Sequence, residues 1–180
     1  MKEYLVSPGV IAIVSLLMLL LPASTLVYAF QGTAFLTGEW WRMASFPFVH
    51  VDLSHFAQNM LALSFSAALA FELSMSVSAY SIIFASANAV LALLATIFFP
   101  ETYLAGASFG VYAVMGGIGL QKNPYLKLPL LFGILSGIAL IGLLSQTKSA
   151  FFHVLGFSVG SAIFLIKNST QRKKGVFNAA

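Results

Sequence analysis

Five stretches of this sequence approach the roughly 20 residues that a helix needs to cross hydrocarbon, and none contains Asp, Glu, Lys or Arg. They cover residues 10–30, 53–71, 77–99, 128–144 and 150–166. A sixth apolar run, 108–120, has only about 13 residues, short of that length. Charged residues make up 8% of the chain, hydrophobic ones 59%, and the mean hydropathy is +0.94. Soluble domains carry about 25% charged residues, and a soluble monomer of this size has no interior large enough for so much apolar surface. The pattern excludes a water-soluble enzyme, a nucleic-acid binder and a disordered chain. It predicts an all-α membrane protein with six transmembrane helices and a short fourth one, in contact with the lipid bilayer.

With no repeat, low-complexity tract or linker, residues 1–180 read as one polytopic domain, ending in a short basic tail over 167–180. A cleaved signal peptide suits the first run poorly. Lys2 is a weak basic start, Val27-Tyr28-Ala29 is a poor cleavage site, and the run exceeds a usual signal core. Basic residues set the orientation. With six spans, Lys2, Lys122, Lys127, Lys167, Arg172, Lys173 and Lys174 share one side, against Arg42 and Lys148 on the other. Both termini are therefore expected in the cytoplasm, with residues 31–52, 100–107 and 146–149 outside.

Polar side chains within such spans are functional candidates by default. Here they are His55, Gln58, Asn59, Asn88, Ser108, Tyr112 and His153, besides scattered serines. Asn88 reads as an interhelical hydrogen bond, a common use of amides in membranes. At about 1.5 Å per residue, Ser108 stands roughly 18 Å above the cytoplasmic end of its helix, and His153 and Asn59 roughly 20 Å above theirs. His55 is one turn higher than Asn59. A hydroxyl, an imidazole and an amide thus converge about 10 Å below the outer surface of a core about 30 Å thick. The short fourth helix would start at Ser108 and leave a water-filled hollow above it.

Ser108, Tyr112, Met115 and Gly119 share one helical stripe, as do His153, Gly156 and Gly160. Gly156-xxx-Gly160 is a close-packing pattern for membrane helices, and it turns the His153 face to a neighbour. A serine becomes a useful nucleophile when a base takes its proton, and His153 can be that base. The carboxylates are Glu3, Glu39, Asp52, Glu72 and Glu101, none at this depth, so the expectation is a Ser–His dyad rather than a triad. Tyr112, one turn below Ser108, could hold the imidazole by stacking. Oxyanion donors would be the Ser108 N–H at a helix start together with His55 and Asn59, which share a face at i and i+4.

A metal is the competing use of the histidines. The H-E-x-x-H pattern is absent, His50 and His55 are five apart, and no carboxylate joins them at depth, so no metal and no cofactor is expected. Zero cysteines exclude a disulfide framework, a thiol nucleophile and a thiolate metal site.

At these residues the chain resembles the rhomboid family of intramembrane serine proteases. Gly38-Glu39-Trp40-Trp41-Arg42 is similar to the family's Trp-Arg element in the first external loop. His50-x4-His55-x3-Asn59 resembles its second-helix pattern, and Gly106-Ala107-Ser108 with Val111-Tyr112-Ala113-x-Met115-Gly116 its nucleophile helix. His153-x-x-Gly156-x3-Gly160 resembles its histidine helix. The resemblance places the core at about 38–166 and implies a six-helix bundle, in the plasma (inner) membrane of a prokaryote, that cleaves transmembrane or membrane-anchored proteins. Ser108 would be the nucleophile and His153 the base; His55, Asn59 and the Ser108 N–H would form the oxyanion hole. Gly106, Tyr112, Gly156, Gly160, Trp41 and Arg42 would support them. Substrates would be helices that unwind easily, cut near small residues, with the fifth helix and the loop before the sixth as the gate.

Two residues depart from the family pattern. Phe109 stands where the family usually has glycine, and Phe152 where it usually has a small residue. Phe109 either trims the substrate pocket or points into lipid and anchors the helix end. A non-catalytic rhomboid-like escort is the alternative function, but such relatives usually lack the serine or the histidine, and this chain has both. A small transporter would show internal repeats or paired broken helices, and the sequence shows neither.

Overall fold

A computed structural model describes residues 6–21, 24–120 and 148–177. The described chain is helical, and its one β feature is an isolated antiparallel bridge between Phe30 and Leu104. Helix α1 spans Val6–Leu19, and three short helices follow: α2 (Ser24–Tyr28), α3 (Gly32–Leu36) and α4 (Trp41–Ser45). A 3-10 turn, Phe46–Phe48, leads to α5 (Leu53–Glu72); α6 is Val77–Phe98, α7 is Ser108–Gly119 and α8 is Lys148–Phe177.

The first apolar run is not a single helix. Expected as one span over 10–30, it divides into α1 and α2, with a turn after Leu19. The sequence reason is Pro22, which has no N–H to continue a helical ladder and disfavours helical backbone in the residue before it. By contrast, the ends of α5, α6 and α7 lie within one residue of the runs 53–71, 77–99 and 108–120. The fifth run, 128–144, lies outside the described residues, as do Lys122 and Lys127. Among the described helices α6 alone is long and apolar enough to span a membrane; Val6–Leu19, Ser108–Gly119 and Phe151–Lys167 are shorter apolar helices.

Local chemistry sets where the long helices begin. Asp52 caps α5, its Oδ1 accepting from the His55 N–H at 2.7 Å, and Ser76 caps α6, accepting from the Ala79 N–H at 3.2 Å. Helix α7 starts differently: Ala107 offers no side-chain cap, which leaves its first N–H groups available.

Helix α7 is the hub, with ten of its twelve residues buried. Glycine permits this burial because it allows backbones to touch. A Cβ on Gly160 would run into the Ala113 carbonyl, one on Gly116 into the Phe157 carbonyl, and one on Gly156 would lie 2.9 Å from the Phe109 carbonyl oxygen. On one side, Ile83, Val111, Val114, Ile118, Phe157 and Phe164 form the larger core. Phe30, Phe46, Leu91, Leu104, Phe109 and Phe152 form a second core at the Ser108 end of α7.

The segment leading into Ser108 is pinned by backbone bonds. The Phe30 and Leu104 N–H groups each donate to the other's carbonyl, at 2.9 and 2.8 Å, and the Gly106 N–H donates to the Phe46 carbonyl at 2.9 Å.

Candidate active site

Ser108 is the first residue of α7 and His153 lies in the second turn of α8, 45 residues later. The glycine contacts between the two helices bring their side chains together: His153 Nε2 is 3.1 Å from Ser108 Oγ. Tyr112, one turn on from Ser108, stacks on the imidazole with ring centroids 4.2 Å apart and planes inclined by 25°. The other ring nitrogen, Nδ1, is buried and has no hydrogen-bond partner among the described residues.

His55 and Asn59 lie on the same face of α5 and turn towards the segment just before Ser108. Gly106 lies between, at φ +104°, a left-handed conformation that suits glycine. A Cβ there would stand 2.8 Å from His55 Nε2 and 3.4 Å from Asn59 Oδ1. The missing side chain therefore leaves room in front of both groups. Asn59 Nδ2 donates one bond to the His55 carbonyl, at 2.8 Å, and its second N–H remains for another acceptor.

The hydrogen bonds and ring contacts of Trp41 and Arg42 are with residues other than the dyad. Arg42 is 8% exposed and acts as a tie within the segment between α1 and α5. Its Nη1 donates to the Leu26 and Ala29 carbonyls at 2.9 and 2.7 Å, and its Nε to Glu39 at 2.6 Å. Trp41 is partly exposed, edge-on to an exposed Trp40, as aromatic residues commonly are at a membrane surface.

Three placements differ from the sequence reading or were missed by it. Asn88 makes no interhelical bond among the described residues. Its amide donates to the Phe84 carbonyl of its own helix at 2.9 Å, and the facing surface presents Gly110, which has no side chain to offer. Phe109 does not point into lipid: only 6% exposed, it packs against Phe46 and Phe152 at centroid distances of 6.0 and 5.7 Å. His50, which helical spacing separated from His55, lies edge-on to it at 5.2 Å. The Asp52 cap was the available signal: α5 begins at Leu53, so helical spacing does not apply to His50, and the loop turns it back. Its Nδ1 lies 3.2 Å from the Phe48 carbonyl.

The Rhomboid domain family model matches residues 37–169, which include every candidate site residue. The chain belongs to the rhomboid family. Comparison with curated proteins finds no match. Rhomboid proteins are integral to membranes and generally serve as serine proteases acting on membrane proteins within the bilayer, although the family also has inactive members. Two short helices of this rhomboid protein, α2 and α3, precede the matched region; Arg42 and the Phe30–Leu104 bridge join this segment to it.

Proposed function

We propose that this rhomboid protein is an intramembrane serine endopeptidase that cleaves transmembrane or membrane-anchored substrates by a Ser108–His153 dyad. The observation that carries the reading is the 3.1 Å approach of His153 Nε2 to Ser108 Oγ. With its proton on Nδ1, the imidazole accepts from the serine hydroxyl at Nε2. Ser108 Oγ attacks the substrate carbonyl carbon as its proton passes to Nε2. His153 returns that proton to the leaving amine, and a water molecule hydrolyses the acyl-enzyme in the same way. The developing oxyanion is held by the uncapped Ser108 N–H, His55 Nε2 and the free Asn59 N–H; one such donor is typically worth about 100- to 1,000-fold in turnover.

The same reading has six spans, of which the 12-residue α7 is the short fourth, both termini in the cytoplasm and a site opening to the outer face. The Gly106 gap, facing His55 and Asn59, supports a polar hollow above α7.

A fluorophosphonate probe on the purified protein in detergent tests it. Labelling should occur at Ser108. Ser108→Ala and His153→Ala should each lower cleavage of a membrane-tethered reporter by more than about a thousandfold, since the pair works as a unit. A Ser108→Ala protein that cuts at the wild-type rate would rule out the dyad. Wild-type protein that takes no label and cuts nothing, yet retains bound membrane proteins, would identify an escort.

A further inference from the structure

Among the described residues, no hydrogen bond orients the dyad histidine from behind. In a Ser–His–acid triad a carboxylate fixes the ring through Nδ1. Here Nδ1 is buried and unpartnered among the described residues. The torsion that swings an imidazole is soft, so without such a bond the ring is held only by what packs against it. Tyr112 supplies one contact. The second comes from Phe109, whose ring centroid lies 6.3 Å from that of His153, planes tilted by 53°.

Phe109 is itself fixed. It meets Phe152 edge-on, at 5.7 Å and 88°, and Phe46 at 6.0 Å. Phe152 meets Phe99 at 5.7 Å, and Phe46 meets Phe30 at 5.8 Å. These distances suit aromatic pairs, so five rings form one continuous wall that ends on the imidazole. The two bulky departures from the family pattern, Phe109 and Phe152, are direct neighbours in it.

We propose that Phe109 is a positioning residue for His153: its ring, locked by Phe46 and Phe152, holds the imidazole over Ser108 in place of a bond to Nδ1. The proposal rests on the protease reading. Displacing a reacting group by about 1 Å can cost roughly a hundredfold, so loss of the ring should slow chemistry rather than weaken binding.

The test uses full-length protein in detergent and two readouts of fluorophosphonate labelling. The end-point reports the folded fraction, and the rate constant reports how well Ser108 is activated. Phe109→Leu keeps apolar volume and removes the ring. It should label to the wild-type end-point with a rate constant lowered roughly 10- to 100-fold, and should lower kcat on a reporter while leaving KM unchanged. Phe30→Leu, in the same wall but two rings away, should leave the rate constant within twofold. Equal rate constants for wild type and Phe109→Leu, or equal losses for Phe30→Leu and Phe109→Leu, would overturn the proposal. If wild-type protein takes no label, the protease reading fails instead. Positioning is then read from the His153 ring by nitrogen-15 NMR: a single ordered signal that broadens in Phe109→Leu supports it, and an unchanged signal overturns it.

Discussion

His50 is 2% exposed and lies in the loop before α5. Burial, reinforced by the neighbouring His55, lowers its pKa from 6.5 to about 4, against the opposing pull of the bond to the Phe48 carbonyl. Folded His50 is therefore neutral at pH 7 and resists protonation until about pH 4, whereas the unfolded chain takes up that proton at about pH 6.5. Between these values the unfolded state binds more protons, so stability falls as pH falls through this window. Thermal unfolding in detergent from pH 7 to 4 should show this loss, and His50→Phe should flatten the slope. Parallel slopes for the two proteins would show that His50 is not a source of it. Much at this scale was legible in the sequence. Ser108, His153 and Asn59 stand out as polar groups at one depth in apolar runs, with His55 one turn higher. The ring contacts of Phe109 and the fold-back of His50 were not, because they depend on which way a side chain leaves the backbone and on a loop conformation that periodicity does not encode.

At the scale of elements, the seam between α7 and α8 fixes the distance between serine and histidine. Gly160 lies against the Ala113 carbonyl and Gly116 against that of Phe157, so here a side chain meets backbone, which cannot step aside. Gly160→Val should cost about 3 kcal/mol or more, at or beyond the upper end for overpacking, and should slow Ser108 labelling as the helices part. Gly9 in α1 has nothing within 4 Å of its would-be Cβ. Gly9→Ala should be neutral or stabilising by up to about 1 kcal/mol, from helix propensity alone. Comparative unfolding of the two variants checks this, and equal effects would mean that the seam is not the constraint. The long helices were readable because apolar runs and caps such as Asp52 and Ser76 mark their ends. The division of the first run was not drawn from the hydropathy pattern, which continues through Pro22; the proline signal competes there with an unbroken series of apolar side chains.

For the whole molecule, the absence of cysteine makes orientation simple to test. Thr37→Cys places a thiol at an exposed position between α3 and α4. In intact cells it should react with an impermeant thiol reagent, while Lys122→Cys should react only after the membrane is opened. The reverse pattern would put the hollow on the cytoplasmic side. The expectation of six spans comes from the apolar runs and the expected side of each loop from charge bias, and neither is written in the helix contacts. The 45-residue separation of Ser108 and His153 also carries a consequence in time. Synthesis adds about 5–20 residues per second, so the serine emerges roughly 2–9 s before its histidine. On the proposed mechanism, a nascent chain has no base for its nucleophile until α8 has joined α7. A ribosome that stalls in between leaves an inert fragment in the membrane, rather than a half-built protease loose among its neighbours.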